Sequence, residues 1–214
     1  MHLLATEISI FARGDLQLHA DANSWQCRPG RYDALNTFFA PGPLEPVEVE
    51  PPIAVIPFNS RLQGIRHFFI DDYRFERVWA RPEYYVQKLQ SNLAILQPDF
   101  SLYSDWPDQV NRWNAYRKWW LASFWSLHNV QVVPVPGWVD ESSFKWCFDN
   151  YAKGGVVATC TMGCQSSAKE FNLGFYAMID HLEPDQVWCF GKNMVNYKSI
   201  EYKYNFKYHT YTRI

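Results

Sequence analysis

The side chains best able to do chemistry concentrate in the run Asp71-Asp72-Tyr73-Arg74-Phe75-Glu76-Arg77, followed one apolar run later by Pro98-Asp99-Phe100-Ser101. Two or three carboxylates brought together could ligate Mg²⁺, or could push one pKa up and create a general acid. The structural alternative is that Asp72 caps a helix and Arg74 or Arg77 pairs with Asp99, fixing the loops without chemistry. A second group, Cys160-Thr161-Met162-Gly163-Cys164, has the C-x3-C spacing that opens radical-SAM cluster motifs. Ser167 stands where the third cysteine is required, and no C-x2-C or histidine partner supports zinc. The plainer reading is a buried strand cysteine and a tight turn at Gly163 before a helix whose N-terminus could hold an anion. The Walker lysine is missing, so a P-loop is excluded. The six His are scattered outside any H-E-x-x-H pattern and G-x-S-x-G is absent, so a hydrolase of standard type is not expected.

The elements that must position these residues follow a regular pattern. Apolar runs at 53–56, 67–70, 93–96, 130–133, 155–158 and 187–190 each give way to polar or turn residues. Such short, nearly continuous runs suit strands buried on both faces. Helix signals lie over 82–90, from Asp105 onward with Pro107 in the first turn, over 141–150 and over 166–182. Strands alternating with helices argue for parallel pairing with right-handed crossovers; only the first two runs are joined too briefly for a helix. In such folds the ligand sits outside the carboxyl ends of the strands. That rule gathers Asn59, Asp71, Asp72, Arg74, Asp99, Ser101, Trp138, Asp140, Thr161, Cys164 and Lys192 on one rim; of these Asp71, Asp72, Arg74, Asp99, Ser101, Trp138, Thr161 and Cys164, together with Gly163, are the ligand-binding candidates.

The expected fold is therefore α/β, a mostly parallel sheet or incomplete β/α barrel of about six strands. Residues 1–52 read as an N-terminal β-containing arm with a Pro-rich connector, 53–195 as the core and 196–214 as a C-terminal β tail, together one compact domain. The tail alternates rings with polar groups and carries Lys198, Lys203 and Lys207 beside Tyr204 and Tyr208. Rings beside a cationic track can hold single-stranded nucleic acid; the alternative is an amphipathic edge strand protected by its lysines.

The chain has 214 residues with 20 Lys+Arg against 22 Asp+Glu, a formal charge of −2 that argues against a wholesale DNA coat. It holds 10 Trp, 13 Tyr and 15 Phe, enough rings to fill a core and leave some for ligands. The aromatic residues of the helix after Asp105 occupy more than one face, so exposed Trp at a homo-oligomer interface are expected. Five Cys, an odd number, and a start lacking a signal-peptide pattern indicate a reduced, cytoplasmic protein. No stretch approaches the ~18 apolar residues of a membrane span.

The runs His67-Phe68-Phe69-Ile70-Asp71-Asp72-Tyr73-Arg74-Phe75-Glu76-Arg77-Val78-Trp79 and Gln97-Pro98-Asp99-Phe100-Ser101-Leu102-Tyr103 resemble the domain-of-unknown-function family four-four-one-seven of bacteriophages, plasmids and bacterial mobile elements. The resemblance continues through Trp113-Asn114-Ala115-Tyr116-Arg117, Pro134-Val135-Pro136-Gly137-Trp138 and Thr161-Met162-Gly163-Cys164, over about residues 53–195. It implies a mobile-element setting in a bacterial host and a fold with parallel strands, and carries no catalytic assignment. The function expected is a binding module for nucleic acid, a nucleotide-type ligand or a host protein, with host or defence modulation as its setting. The alternative is an enzyme acting on a phosphorylated or nucleotide substrate at the acidic rim, where Mg²⁺ is the one cofactor suggested.

Overall fold

A computed structural model describes residues 31–32, 38–39, 44–49, 55–62, 64–192, 194–195 and 202–204. A short antiparallel pair, β1 (Arg31–Tyr32) and β2 (Phe38–Phe39), precedes seven strands in parallel register. These are β3 (Val55–Pro57), β4 (Ile65–His67), β5 (Ile95–Leu96), β6 (Val132–Val133), β7 (Val156–Cys160), β8 (Gln186–Phe190) and β9 (Tyr202–Tyr204). They form sheets of order β3-β4-β5-β6 and β7-β8-β9, with every pair parallel. The Ala158 N–H donates to the Pro134 carbonyl at 2.8 Å just past β6, so one sheet leads into the other in chain order.

Six of these strands fall on or overlap the six apolar runs, and their two-faced burial explains why the runs are continuous. Ala94, Leu96, Val133, Val156 and Ala158 pack with Trp188 and Phe190 on one side. The alternate residues Ile95, Val132 and Val157 join the larger core beneath the helices. Phe69, just past β4, meets Phe190 at the end of β8 with ring centroids 5.1 Å apart, which requires the strands to curl around their own inner side chains. Among the described residues β3 and β9 do not pair, so the architecture is a mixed α/β fold with mostly parallel strands and no closed barrel.

The helices are α1 (Arg77–Ala80), α2 (Pro82–Gln90), α3 (Asp108–Leu127) and α4 (Ala168–Leu182). Helix α3 is buried nearly all round and takes Pro107 as its N-cap. Of the tryptophans from which exposed positions were expected, Trp106, just before the helix, is exposed, whereas Trp119, Trp120 and Trp125 on the helix are buried. The reason is that α3 has neighbours on several faces. Trp79 of α1 packs edge-on against both Trp113 and Trp120, while Trp119 meets Trp146 from the segment after β6.

The helix expected over 141–150 is instead a single 3-10 turn, Ser143–Lys145. Asp140 Oδ1 accepts from the Ser142 N–H and hydroxyl, and Ser143 Oγ accepts from the Val139 N–H, so local side-chain bonds compete with the helical ladder. Trp146, Cys147, Phe148, Asn150 and Tyr151 are then all buried, a density of inward positions that one helical face could not supply. The short helix α1 was not signalled by periodicity.

Candidate functional site

The loops leaving β4, β5, β6 and β7 enclose a cleft of about 760 Å³ at the carboxyl ends of the strands. Helix α3 contributes Lys118 to the cleft lining and braces the loops around it with buried polar side chains. Asn111 clasps the backbone of Tyr103, accepting its N–H at 3.0 Å and donating to its carbonyl at 2.9 Å. Asn114 donates to the Ser101 carbonyl at 2.7 Å and accepts from Arg117 at 2.7 Å. Arg117 also bonds Glu76 at 2.6 Å and lies over the Phe100 ring at 3.8 Å, tying the two acidic loops together.

The carboxylates occupy three different environments. Asp71 is exposed at the rim, 3.9 Å from Arg74. Asp72 is half-buried, and both its oxygens are occupied: Oδ2 accepts the Ser101 N–H and Oδ1 the Ser101 hydroxyl, each at 3.0 Å. Burial raises the Asp72 pKa, the Ser101 bonds oppose the rise, and the nearby Asp99 charge adds to it. Asp99 receives the Lys118 ammonium on Oδ1 at 2.7 Å, and Lys118 itself is buried. Neither Arg74 nor Arg77 pairs with Asp99, and Asp72 caps no helix; the charge partner comes from α3 instead. Among the described residues Asp99 Oδ2 has no hydrogen-bond partner, and Asp99 lines the cleft.

The wall opposite comes from β7 and α4. Gly163 turns the chain there at φ +81°, and Cys160 and Cys164 both line the cleft as free thiols. Burial pushes both thiols up, and the Asp99 charge pushes in the same direction, so they are neutral rather than nucleophilic. Helix α4 begins only at Ala168, after a 3-10 turn over Gln165–Ser167, so the anion-holding N-terminus expected directly after Gly163 is displaced. Trp138 reaches the cleft from the β6 loop, its ring packed on Phe171 at 5.3 Å.

Of the residues gathered by the carboxyl-end rule, Asp71, Asp72, Asp99, Ser101, Trp138 and Cys164 line one cleft together with Gly163, whereas Asn59, Asp140 and Lys192 do not line it. Arg74 stays outside it, against Asp71 and Tyr73. Thr161 is also outside: it is fully buried, with its hydroxyl 2.8 Å from the Lys192 carbonyl, where it ties the end of β7 to the chain after β8. Lys203 and Tyr204 belong to β9, whereas Lys198, Lys207 and Tyr208 lie outside the described residues. Sequence reasoning missed Lys118, Glu170, Tyr73, Tyr103 and Trp106, all of which line the cleft. The signal for Lys118 was present, since a lysine amid Tyr116, Trp119 and Trp120 on an inward stripe needs a carboxylate.

The arrangement offers acceptors and rings. Among the described residues four carboxylates line the cleft against one ammonium, which is already engaged, and Tyr103 and Trp106 pack at a tilt of 53° with ring centroids 4.5 Å apart at its edge. Among the described residues no group of three or more His, Cys, Asp or Glu side chains could hold a metal ion, and the Ser101 bonds leave Asp72 poorly placed to ligate Mg²⁺. No described helix is long and apolar enough to cross a membrane.

Residues 44–209 match the family model described as Domain of unknown function (DUF4417). The chain is similar to the Gene 1 protein of Mycobacterium phage L5, with 32 % identity covering 78 % of this chain and 81 % of the relative. It is similar also to the Gene 1 protein of Mycobacterium phage D29, with 33 % identity covering 78 % and 69 %. No solved structure matches it.

Proposed function

Since this chain belongs to the DUF4417 family and is phage-associated, we propose that it is a binding protein whose carboxyl-end cleft takes a nucleobase- or nucleoside-type ligand. The observation that carries this reading is Asp99, whose Oδ1 is fixed by Lys118 while Oδ2 has no hydrogen-bond partner among the described residues, in a cleft edged by Tyr103 and Trp106. A carboxylate oxygen accepts from ring and exocyclic N–H groups or from ribose hydroxyls, and flat rings beside it stack a base. The excess of carboxylates disfavours a phosphate in the same cleft, which narrows the nucleotide expectation to its uncharged portion.

Calorimetric titration of the four nucleosides and their 5′-monophosphates tests this. Binding of at least one nucleoside, weakened when the phosphate is added and weakened again by Tyr103→Ala or Trp106→Ala, is the expected result. No nucleoside binding, or a preference for the phosphorylated forms, overturns it.

A second reading is favoured by the contrast between Asp72, pushed toward its protonated form, and Asp99, held beside a cation. Such divergent environments suit a general acid and a general base. Turnover of a bound nucleoside, lost in Asp72→Asn with binding retained, would favour the enzyme.

A further inference from the structure

We propose that a second cleft, of about 520 Å³ between the loop after β3, strand β4 and helix α2, binds a phosphate-bearing nucleotide unit, with its phosphate on Arg66, Arg77 and Lys88 and its base on Tyr84. This site is separate from the acidic cleft and shares no lining residue with it.

Its charge is the first argument. Among the described residues three cations line it and no carboxylate does. Among the described residues none of the three forms an ion pair. The Arg66 guanidinium is anchored on neutral acceptors, the Asn92 side chain at 2.9 Å and the carbonyls of Ser60 at 2.8 Å and Phe58 at 3.1 Å. Those bonds fix its plane and satisfy its donors in part, but leave its positive charge uncompensated in a half-buried position. A partly desolvated cation without a counter-charge is a costly arrangement that an anion would relieve.

Ring placement is the second argument. Lys88 Nζ lies 4.1 Å from the Tyr84 ring centroid and 2.7 Å from its hydroxyl, and the Arg77 guanidinium lies 5.4 Å from the Phe58 ring. Tyr84 is 57 % exposed, so one ring stands open beside the cations. Cations next to an exposed ring are the elements that hold phosphodiester and base together in single-stranded nucleic acids; a free nucleotide presents the same chemistry.

The test uses the full chain with fluorescently labelled dT10 followed by anisotropy, and AMP as competitor. Arg77→Glu with Lys88→Glu is the informative variant, because both side chains are exposed and contact only rings or a surface hydroxyl, so the fold should survive. The expected result is dT10 binding that weakens roughly 20-fold between 50 and 200 mM salt for three phosphate contacts. The charge reversals should weaken it more than tenfold, Tyr84→Ala about fivefold or more, and Tyr84→Phe little. Displacement of dT10 by AMP assigns the site to a free nucleotide, and failure to displace assigns it to a strand; both support the site. Absence of dT10 and AMP binding overturns it. So does binding that survives Arg77→Glu with Lys88→Glu but is lost in Lys203→Glu with Lys207→Glu, which would move the contact to the tail. Failure here leaves the nucleoside titrations of the acidic cleft untouched, since the phosphate-free ligands are measured there.

Discussion

Lys118 and Asp99 form a buried ion pair, with ammonium and carboxylate 2.7 Å apart and the lysine side chain only 2 % exposed against 31 % for the aspartate. The pair joins helix α3 to the loop after β5, so it holds the lining of the cleft as well as a charge. Removing one partner strands the other, and a stranded buried ammonium is costly. Asp99→Asn should therefore destabilise by about 2 kcal/mol or more, discounted from a fully buried pair because Asp99 is partly solvated. Asp71→Asn, at an exposed rim position, should stay within about 0.5 kcal/mol. Urea unfolding of the two variants checks the contrast; equal effects would mean that the Lys118 contact contributes nothing.

Asp72 makes a pH prediction of definite sign. Its pKa is raised in the folded chain, with burial the leading cause. The protonated form is thus favoured by folding, and the stability it contributes is fully present below its ordinary pKa and is lost as pH rises through the folded value. In Asp72→Asn that decline should disappear, so the stability of the native chain relative to the variant should fall as pH rises from about 4. Thermal unfolding of both proteins from pH 3.5 to 7 measures the difference, and a gap that widens in favour of the native chain would contradict it.

Gly174 of α4 lets the Trp138 indole lie against the helix backbone: a methyl built there would stand 2.1 Å from the indole nitrogen. Gly174→Ala must push the ring outward into the cleft and should cost about 1–3 kcal/mol as overpacking. The same change in a Trp138→Ala background should cost much less, a coupling that a double-mutant cycle of unfolding free energies would detect. Additive effects would show that Trp138 does not rest on Gly174.

Much of this arrangement was legible in the sequence, and for identifiable reasons. Strands buried on both faces produce unbroken apolar runs, which is why six of them could be found from runs such as Leu93 to Leu96. The carboxyl-end rule then placed Asp72, Asp99 and Cys164 in one cleft without any contact information. What failed were the properties that depend on long-range partners. Asp99 draws its cation from helix α3, 19 residues on, and Arg74 and Arg77 lie at similar separations before it, so spacing along the chain alone did not select the partner. Thr161 lies between two candidates that line the cleft but turns inward to β8, an orientation fixed by tertiary contact alone. The segment over 141–150 satisfies helical periodicity locally, yet Asp140 and Ser143 bond its backbone into a turn.

His67 is held neutral by its surroundings. Burial lowers its pKa to about 4, its Nδ1 accepts the Phe69 N–H at 3.1 Å, and its ring stacks on Phe69. A histidine with a depressed folded pKa contributes stability that is present above its ordinary value of 6.5 and is lost as pH falls toward 4. The loss should approach about 3 kcal/mol at the acid end, and His67→Gln should flatten it. Unfolding curves for the two proteins at pH 7 and pH 4.5 decide; parallel losses would sink the assignment.

Gly163 provides the sharpest separation of backbone strain from packing, because its φ of +81° lies where L side chains are disfavoured while nothing stands within 4 Å of a methyl built there. No clash competes with the conformational term, so substitutions should rank by their tolerance of left-handed backbone alone. Gly163→Asn should cost least, since asparagine visits that region through its local hydrogen bonds, and Gly163→Ala should cost about 1 kcal/mol. Gly163→Val should cost about 2 kcal/mol, because a β-branched side chain adds its own restriction. Gly163 also lines the cleft between Cys160 and Cys164, so a variant that reshapes this turn should weaken nucleoside binding in the same order as it loses stability. Melting temperatures and titrations of the three variants test both rankings together. A valine variant as stable as the asparagine one would show that the turn relaxes to negative φ, and that the cleft wall does not depend on it.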